Sequence, residues 1–196
     1  MLFRSYNIVA LIGKAGAGKD TMLQGILKNL EDNDKVHEIV SCTSRPMREG
    51  EKDGINYHYY SPSNFVDKIM CGQMLEYTNF NNWWYGTSSE SMRRDGAINF
   101  GAFNPDGVRK LIDRDDCNVT VYWITASDKT RLLRQLNREE NPNVEEIIRR
   151  FGADVKDFEN INFDYIEISN ETEADLAAAI KTIVCQTEAT LAQGRN

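Results

Sequence analysis

The chain has 196 residues, a formal net charge of −7, four cysteines and two histidines. This length supports one well-packed domain with insertions, and acidic residues spread along the chain are a poor footprint for nucleic-acid binding, so any polyanion must be gripped locally. Cys42, Cys71, Cys117 and Cys185 form no C-x-x-C pair, no apolar run is long enough to span a bilayer, and no signal-peptide core precedes the first strand; a soluble, cytoplasmic protein with reduced cysteines is expected, a monomer or homodimer without nucleic-acid or membrane partners.

The apolar run Ile8–Ile12 predicts a buried strand and Met22–Leu27 opens a helix reaching about Leu30. Val36–Cys42 reads as a second strand. The segment from Thr43 to Asn56, rich in charge and glycine, is an exposed loop or ribbon that Tyr57–Tyr60 closes as a strand. Ser61-Pro62-Ser63 starts a helix that Gly72 ends. Met74–Tyr85 is aromatic-rich, with Trp83 and Trp84 as core or pocket wall, and Ala97–Phe103 suits a buried strand before a helix over Asp106–Asp113.

Further strands are expected at Asn118–Ile124 and Phe163–Ile168. Helices are expected after Ser127, bearing Leu132, Leu133 and Leu136, from Val144, and over Glu171–Gln193. Strands alternating with helices imply an α/β fold, a mostly parallel sheet flanked by helices.

Between the first strand and first helix lies Gly13-Lys14-Ala15-Gly16-Ala17-Gly18-Lys19-Asp20-Thr21. Small residues there let backbone N–H groups converge on an anion at the helix's positive dipole end, and Lys19 adds charge for the outer phosphates of a nucleoside triphosphate. Asp20 stands where the usual pattern has a serine or threonine hydroxyl for magnesium. A carboxylate there is repelled by polyphosphate unless a cation lies between them, which makes Asp20 the candidate Mg²⁺ ligand.

A second pattern is Thr43-Ser44-Arg45, Arg48, Glu51, Gly54, Tyr57 and Tyr59. With the phosphate loop upstream, this resembles the guanylate kinase family, whose signature T-[ST]-R, two residues, [KR], two, [DE], two, G, two, Y, one, [FY] is filled at every position. The likeness continues in Leu75-Glu76-Tyr77 and Trp84-Tyr85-Gly86-Thr87-Ser88.

The resemblance implies a P-loop kinase fold with a core of residues 1–42 and 97–196, a monophosphate-binding insertion over about 43–96 and a lid over about 134–150. It implies phosphoryl transfer from ATP, with Mg²⁺, to GMP or dGMP. Arg45, Arg48, Tyr57 and Tyr85 would hold the acceptor phosphate, while Ser41, Glu76 and Thr87 would read the base. Guanidinium forks match a dianionic monophosphate, and a carboxylate can accept from guanine N1–H and N2–H together. Arg138 and Arg150 match the lid and post-lid arginines, with Arg134 as an alternative to Arg138, and Asn170 matches the contact to the donor adenine.

One departure from the family concerns its acidic D-x-D pair, replaced here by Ala102 and Asn104. An amide both donates and accepts, so Asn104 leaves open a broader or shifted base or ribose specificity, or another small-molecule kinase activity. A non-catalytic, phosphoprotein-binding module of this fold is the alternative of another class; the intact Lys19 argues against it.

Overall fold

The computed structural model describes residues 5–48, 50–80, 82–138 and 140–193. Its centre is β1 (Tyr6–Ile12), flanked by β7 (Ile98–Ala102) and β8 (Cys117–Thr125), with β2 (Val36–Glu38) and β9 (Ile166–Ser169) at the edges; all pairings are parallel. Because side chains alternate along a strand, Val9 and Leu11 join the core under α1 (Lys19–Asn29) and α6 (Glu173–Gln193), while Ile8, Ala10 and Ile12 join the opposite core with Val108 and Leu111 of α3 (Pro105–Ile112). Burial on both faces explains why β1 reads as a continuous apolar run.

A second, four-stranded sheet is formed by the segment between β2 and β7. It is built from β3 (Cys42–Thr43), β4 (His58–Tyr59), β5 (Met74–Phe80) and β6 (Trp83–Ser88), with α2 (Pro62–Met70) packed below through buried Phe65, which stacks on Trp84. The remaining helices are α4 (Asp128–Leu136) and α5 (Val144–Asp157).

Two sequence expectations change. The strand foreseen over 36–42 is two strands: β2 ends at Glu38 and Cys42 already pairs with Gly86 in the second sheet. The strand foreseen from Phe163 begins at Ile166, and Phe163 packs instead beside the α3 side of the core. In α4, Leu132 and Leu133 are exposed and the buried residue is Arg131, at 2% exposure. Arg131 is buried there because its charge is paired with Asp128 and Asp154.

All four cysteines are free. Among the described residues no helix is long and apolar enough to cross a membrane.

Candidate active site

The phosphate loop lies where β1 becomes α1, between the carboxyl ends of β7 and β8, the position at which parallel sheets place ligands. Gly16 and Gly18 have φ of 81° and 94°, a left-handed backbone that side chains disfavour. A Cβ on Gly18 would also lie 2.4 Å from Asn170 Nδ2. That amide donates to the Ala17 carbonyl at 2.7 Å, so buried Asn170 buttresses the loop from the end of β9. Arg134 adds longer contacts, 3.5 and 3.4 Å, to the carbonyls of Gly16 and Ala17. Lys19 opens α1; desolvation lowers its pKa, opposed by the charges of Asp20 and Asp154. Asp20 and Thr21 are exposed beside it.

A cleft of about 1170 Å³ separates the two sheets and runs from Ala15 past Arg45, Arg48, Tyr57 and Tyr85 to Glu76 and Asn104. It gathers Arg45, Arg48, Arg109, Arg149 and Arg150, together with the carboxylates Glu76, Asp106, Glu146, Asp154 and Asp157, in a protein of net negative charge, so any positive field is local to the Arg45–Arg48 wall. The hydrogen-bond pattern of the second sheet fixes one wall. Pairing of Thr43 with Tyr85, and donation from Ser44 N to the Trp84 carbonyl at 2.9 Å, put the Thr-Ser-Arg segment beside Tyr85.

Glu51 organises this wall. Its carboxylate accepts from Arg45 Nη2 at 2.9 Å, from the Arg48 N–H at 2.7 Å and from the Tyr59 hydroxyl at 2.8 Å. The Arg45 guanidinium accordingly holds its pKa down at about 2. Arg45, itself buried, lies 5.7 Å from the Tyr57 ring centre.

At the far end Glu76 is buried at 7% exposure, and the register irregularity between Met74 and Glu76 adjusts where its side chain falls. Thr87, fully buried, donates its hydroxyl to Glu76 Oε1 at 2.8 Å. Burial pushes the Glu76 pKa up to about 7, with Thr87 and Lys110 pulling down and Asp106 pushing further up.

A family model described as guanylate kinase matches residues 5–187 of the chain. The protein belongs to the guanylate kinase family. A guanylate kinase of Helicobacter pylori (strain 26695) is 27% identical over 190 residues, covering 93% of this chain and 90% of that protein. One of Lactiplantibacillus plantarum is 29% identical over 181 residues, covering 90% and 86%. The fold is similar to the crystal structure of guanylate kinase from Anaplasma phagocytophilum, with a TM-score of 0.64 at 21% identity over 96% of this chain and 88% of that one.

Within this guanylate kinase fold, Ser41, Arg45, Arg48, Tyr57, Glu76, Tyr85, Asn104 and Arg150 all line one cleft. Thr87 does not reach it and stands behind Glu76. Arg138 is exposed and outside the cleft, whereas Arg134 touches the phosphate loop. Asn104 caps α3, its side-chain oxygen accepting from the Gly107 N–H at 2.7 Å. The cap uses one lone pair of that oxygen and leaves the side-chain NH₂ available to a ligand.

Several cleft residues escaped the sequence reading. Asp106 enters the wall two positions after Asn104, paired with Lys110 at 2.6 Å. Glu146 accepts from Arg149 and from Arg150, at 2.6 and 2.9 Å through their Nε atoms, and the two arginines hold its pKa at about 2. The i,i+3 and i,i+4 spacing of that cluster was a legible signal. Arg149 also lies 5.0 Å from the Phe80 ring centre, linking α5 to β5 across the cleft. For Arg131 and Asp154 no local signal exists: they are 23 positions apart and meet only in the folded chain.

Proposed function

We propose that this protein transfers the γ-phosphoryl group of ATP to GMP in the cleft between its two sheets, giving ADP and GDP. The observation that carries this reading is the buried, threonine-held Glu76 at one end of a cleft whose wall presents Arg45, Arg48, Tyr57 and Tyr85. A carboxylate so placed accepts from guanine N1–H and N2–H; adenine offers no such pair, and would leave a desolvated group unmatched.

Each residue then has a role. Lys19 and backbone amides within the Gly13–Thr21 loop other than that of Ala15, which is already bonded to Asp154, hold the donor phosphates, and Arg45, Arg48, Tyr57 and Tyr85 hold the acceptor phosphate. An oxygen of that phosphate attacks the γ-phosphorus in line as the bond to the β-phosphate oxygen breaks. Arg150, with Arg134 or Arg138 from the lid, neutralises the spreading charge; no covalent intermediate is needed, since positioning and charge neutralisation suffice. Asn170 Oδ1, buried with no hydrogen-bond partner among the described residues, is an acceptor suited to the donor adenine's amino group.

Magnesium enters with ATP in this reading. Among the described residues no three acidic, histidine or cysteine side chains converge as a ready ion site. Asp20, exposed at the start of α1, would be the ion's protein contact, and the ion would supply charge neutralisation. The enzyme works on free nucleotides in the cytoplasm. A second reading, relaxed base or ribose choice, is favoured by Ala102 and Asn104 standing where the family has carboxylates, since the Asn104 amide presents a donor as well as an acceptor.

The test is ADP release measured over all ribo- and deoxynucleoside monophosphates with and without Mg²⁺. GMP and dGMP lead if the main reading holds, Lys19→Ala abolishes the signal, and no turnover of GMP by the wild-type protein would overturn it.

A further inference from the structure

The phosphate loop is gripped at Ala15 in a way that phosphate binding does not require. Ala15 donates its N–H to Asp154 Oδ2 at 2.9 Å, and its carbonyl accepts from Arg131 Nε at 3.0 Å. Arg131 and Asp154 are themselves ion-paired through Nη2 and the same Oδ2. Arg131 also pairs with Asp128 at 2.6 Å and lies 4.4 Å from the Phe151 ring centre. Both polar groups of one loop residue are thus held by one ion pair, its arginine buried and its carboxylate partly buried at the edge of the cleft.

The pair's origin matters. Arg131 belongs to α4, the stem entering the lid segment, and Asp154 to α5, the stem leaving it. Both stems converge on the same loop residue. A buried ion pair is a weak source of stability, because desolvation consumes most of its Coulomb attraction and well-packed apolar side chains often do as well. What apolar side chains cannot do is fix the direction of a peptide N–H and C=O. With two carboxylates on it, the Arg131 charge is also compensated and is not a phosphate ligand.

We infer that Arg131 and Asp154 are positioning residues that clamp the Ala15 backbone, set the phosphate loop in its ATP-binding shape and tie that shape to both stems of the lid. This rests on the loop being the ATP site proposed above. The Ala15 N–H is then a strut and not a phosphate donor, and the loop's other amides bind the nucleotide.

The discriminating variants are Arg131→Met, Asp154→Leu and the two combined. Arg131→Met leaves the partly buried Asp154 without its cation, Asp154→Leu leaves buried Arg131 with the exposed Asp128 alone, and each lowers the melting temperature. The double variant leaves neither charge behind, so its melting temperature returns toward wild type. ATP affinity, read by calorimetry without an acceptor, falls about tenfold or more in the double variant because the loop is no longer preorganised, while KM for GMP stays near wild type. A double variant with wild-type stability and wild-type ATP affinity overturns the inference.

Arg131→Lys supplies a second arm should the double variant fail to fold. A lysine keeps the charge but cannot span the carboxylate and the Ala15 carbonyl together, so weakened ATP binding with unchanged KM for GMP supports the clamp and unchanged ATP binding overturns it. Failure of the underlying reading shows in a different place, as a wild-type protein that does not bind ATP.

Discussion

Thr87 donates its hydroxyl proton to Glu76 Oε1 at 2.8 Å in a region closed to solvent. The bond fixes the orientation of the carboxylate and uses one of its lone pairs, leaving the others for the cleft. Removing the hydroxyl by Thr87→Val strips a buried acceptor of its partner, a loss of about 1–3 kcal/mol. KM for GMP rises by about tenfold while KM for ATP, bound at the other end, holds; steady-state kinetics with each substrate varied checks both.

The same carboxylate predicts a pH dependence. Burial lifts its pKa to about 7 in the empty cleft, and guanine needs the ionised form as acceptor. As pH falls from about 8 to about 6, the ionised fraction drops and kcat/KM for GMP falls by close to tenfold, since this parameter reports the free enzyme. Glu76→Gln has low activity and a flat profile over that range. A folded-state pKa above the ordinary value also means that Glu76 favours folding at low pH and that this contribution is lost as pH rises through about 7.

Glu51 has the opposite sign. Its pKa of about 2 in the folded protein lies below its ordinary 4.5. The stability it contributes is therefore present above about pH 4.5 and lost as pH falls toward about 2. Denaturation midpoints measured between about pH 5 and about pH 3 decline less steeply for Glu51→Gln than for wild type. Because Arg45 and the Arg48 N–H lose their common acceptor, this variant also raises KM for GMP.

Gly18→Ala tests the loop backbone. With φ at 94° and Asn170 Nδ2 only 2.4 Å from the added Cβ, either the loop or Asn170 must move. A cost of about 1–3 kcal/mol is expected for the strained conformation, with a lower melting temperature and ADP release reduced severely.

Two charge changes separate chemistry from binding. Arg150→Met lowers kcat by about 10²-fold or more with modest effects on either KM, because a lid arginine acts on charge that develops during transfer. Asp20→Ser raises the Mg²⁺ concentration for half-maximal rate several-fold if Asp20 touches the ion; a rate and magnesium dependence unchanged from wild type would refute that contact.

The strand, loop and helix around Lys19 were legible because a phosphate loop is local: its glycines, lysine and flanking apolar runs occupy one short stretch, and the backbone responds to each of them directly. The spacing of Arg45, Arg48, Glu51, Tyr57 and Tyr59 was legible as a pattern, yet the reason for Glu51, as the acceptor that ties that wall together, emerged only from its three hydrogen bonds. Thr87 behind Glu76, Asn104 as a cap, and the exposed leucines of α4 depend on which face each element buries. That choice is made by long-range packing, where burial and partner availability outweigh local periodicity. The clamp on Ala15 is the extreme case. Sequence by itself determined a strand, a glycine-rich loop and a helix around Lys19, because that signal is local, whereas only the tertiary structure, by bringing Arg131 of α4 and Asp154 of α5 to the N–H and C=O of Ala15, decided what that loop's backbone is bonded to.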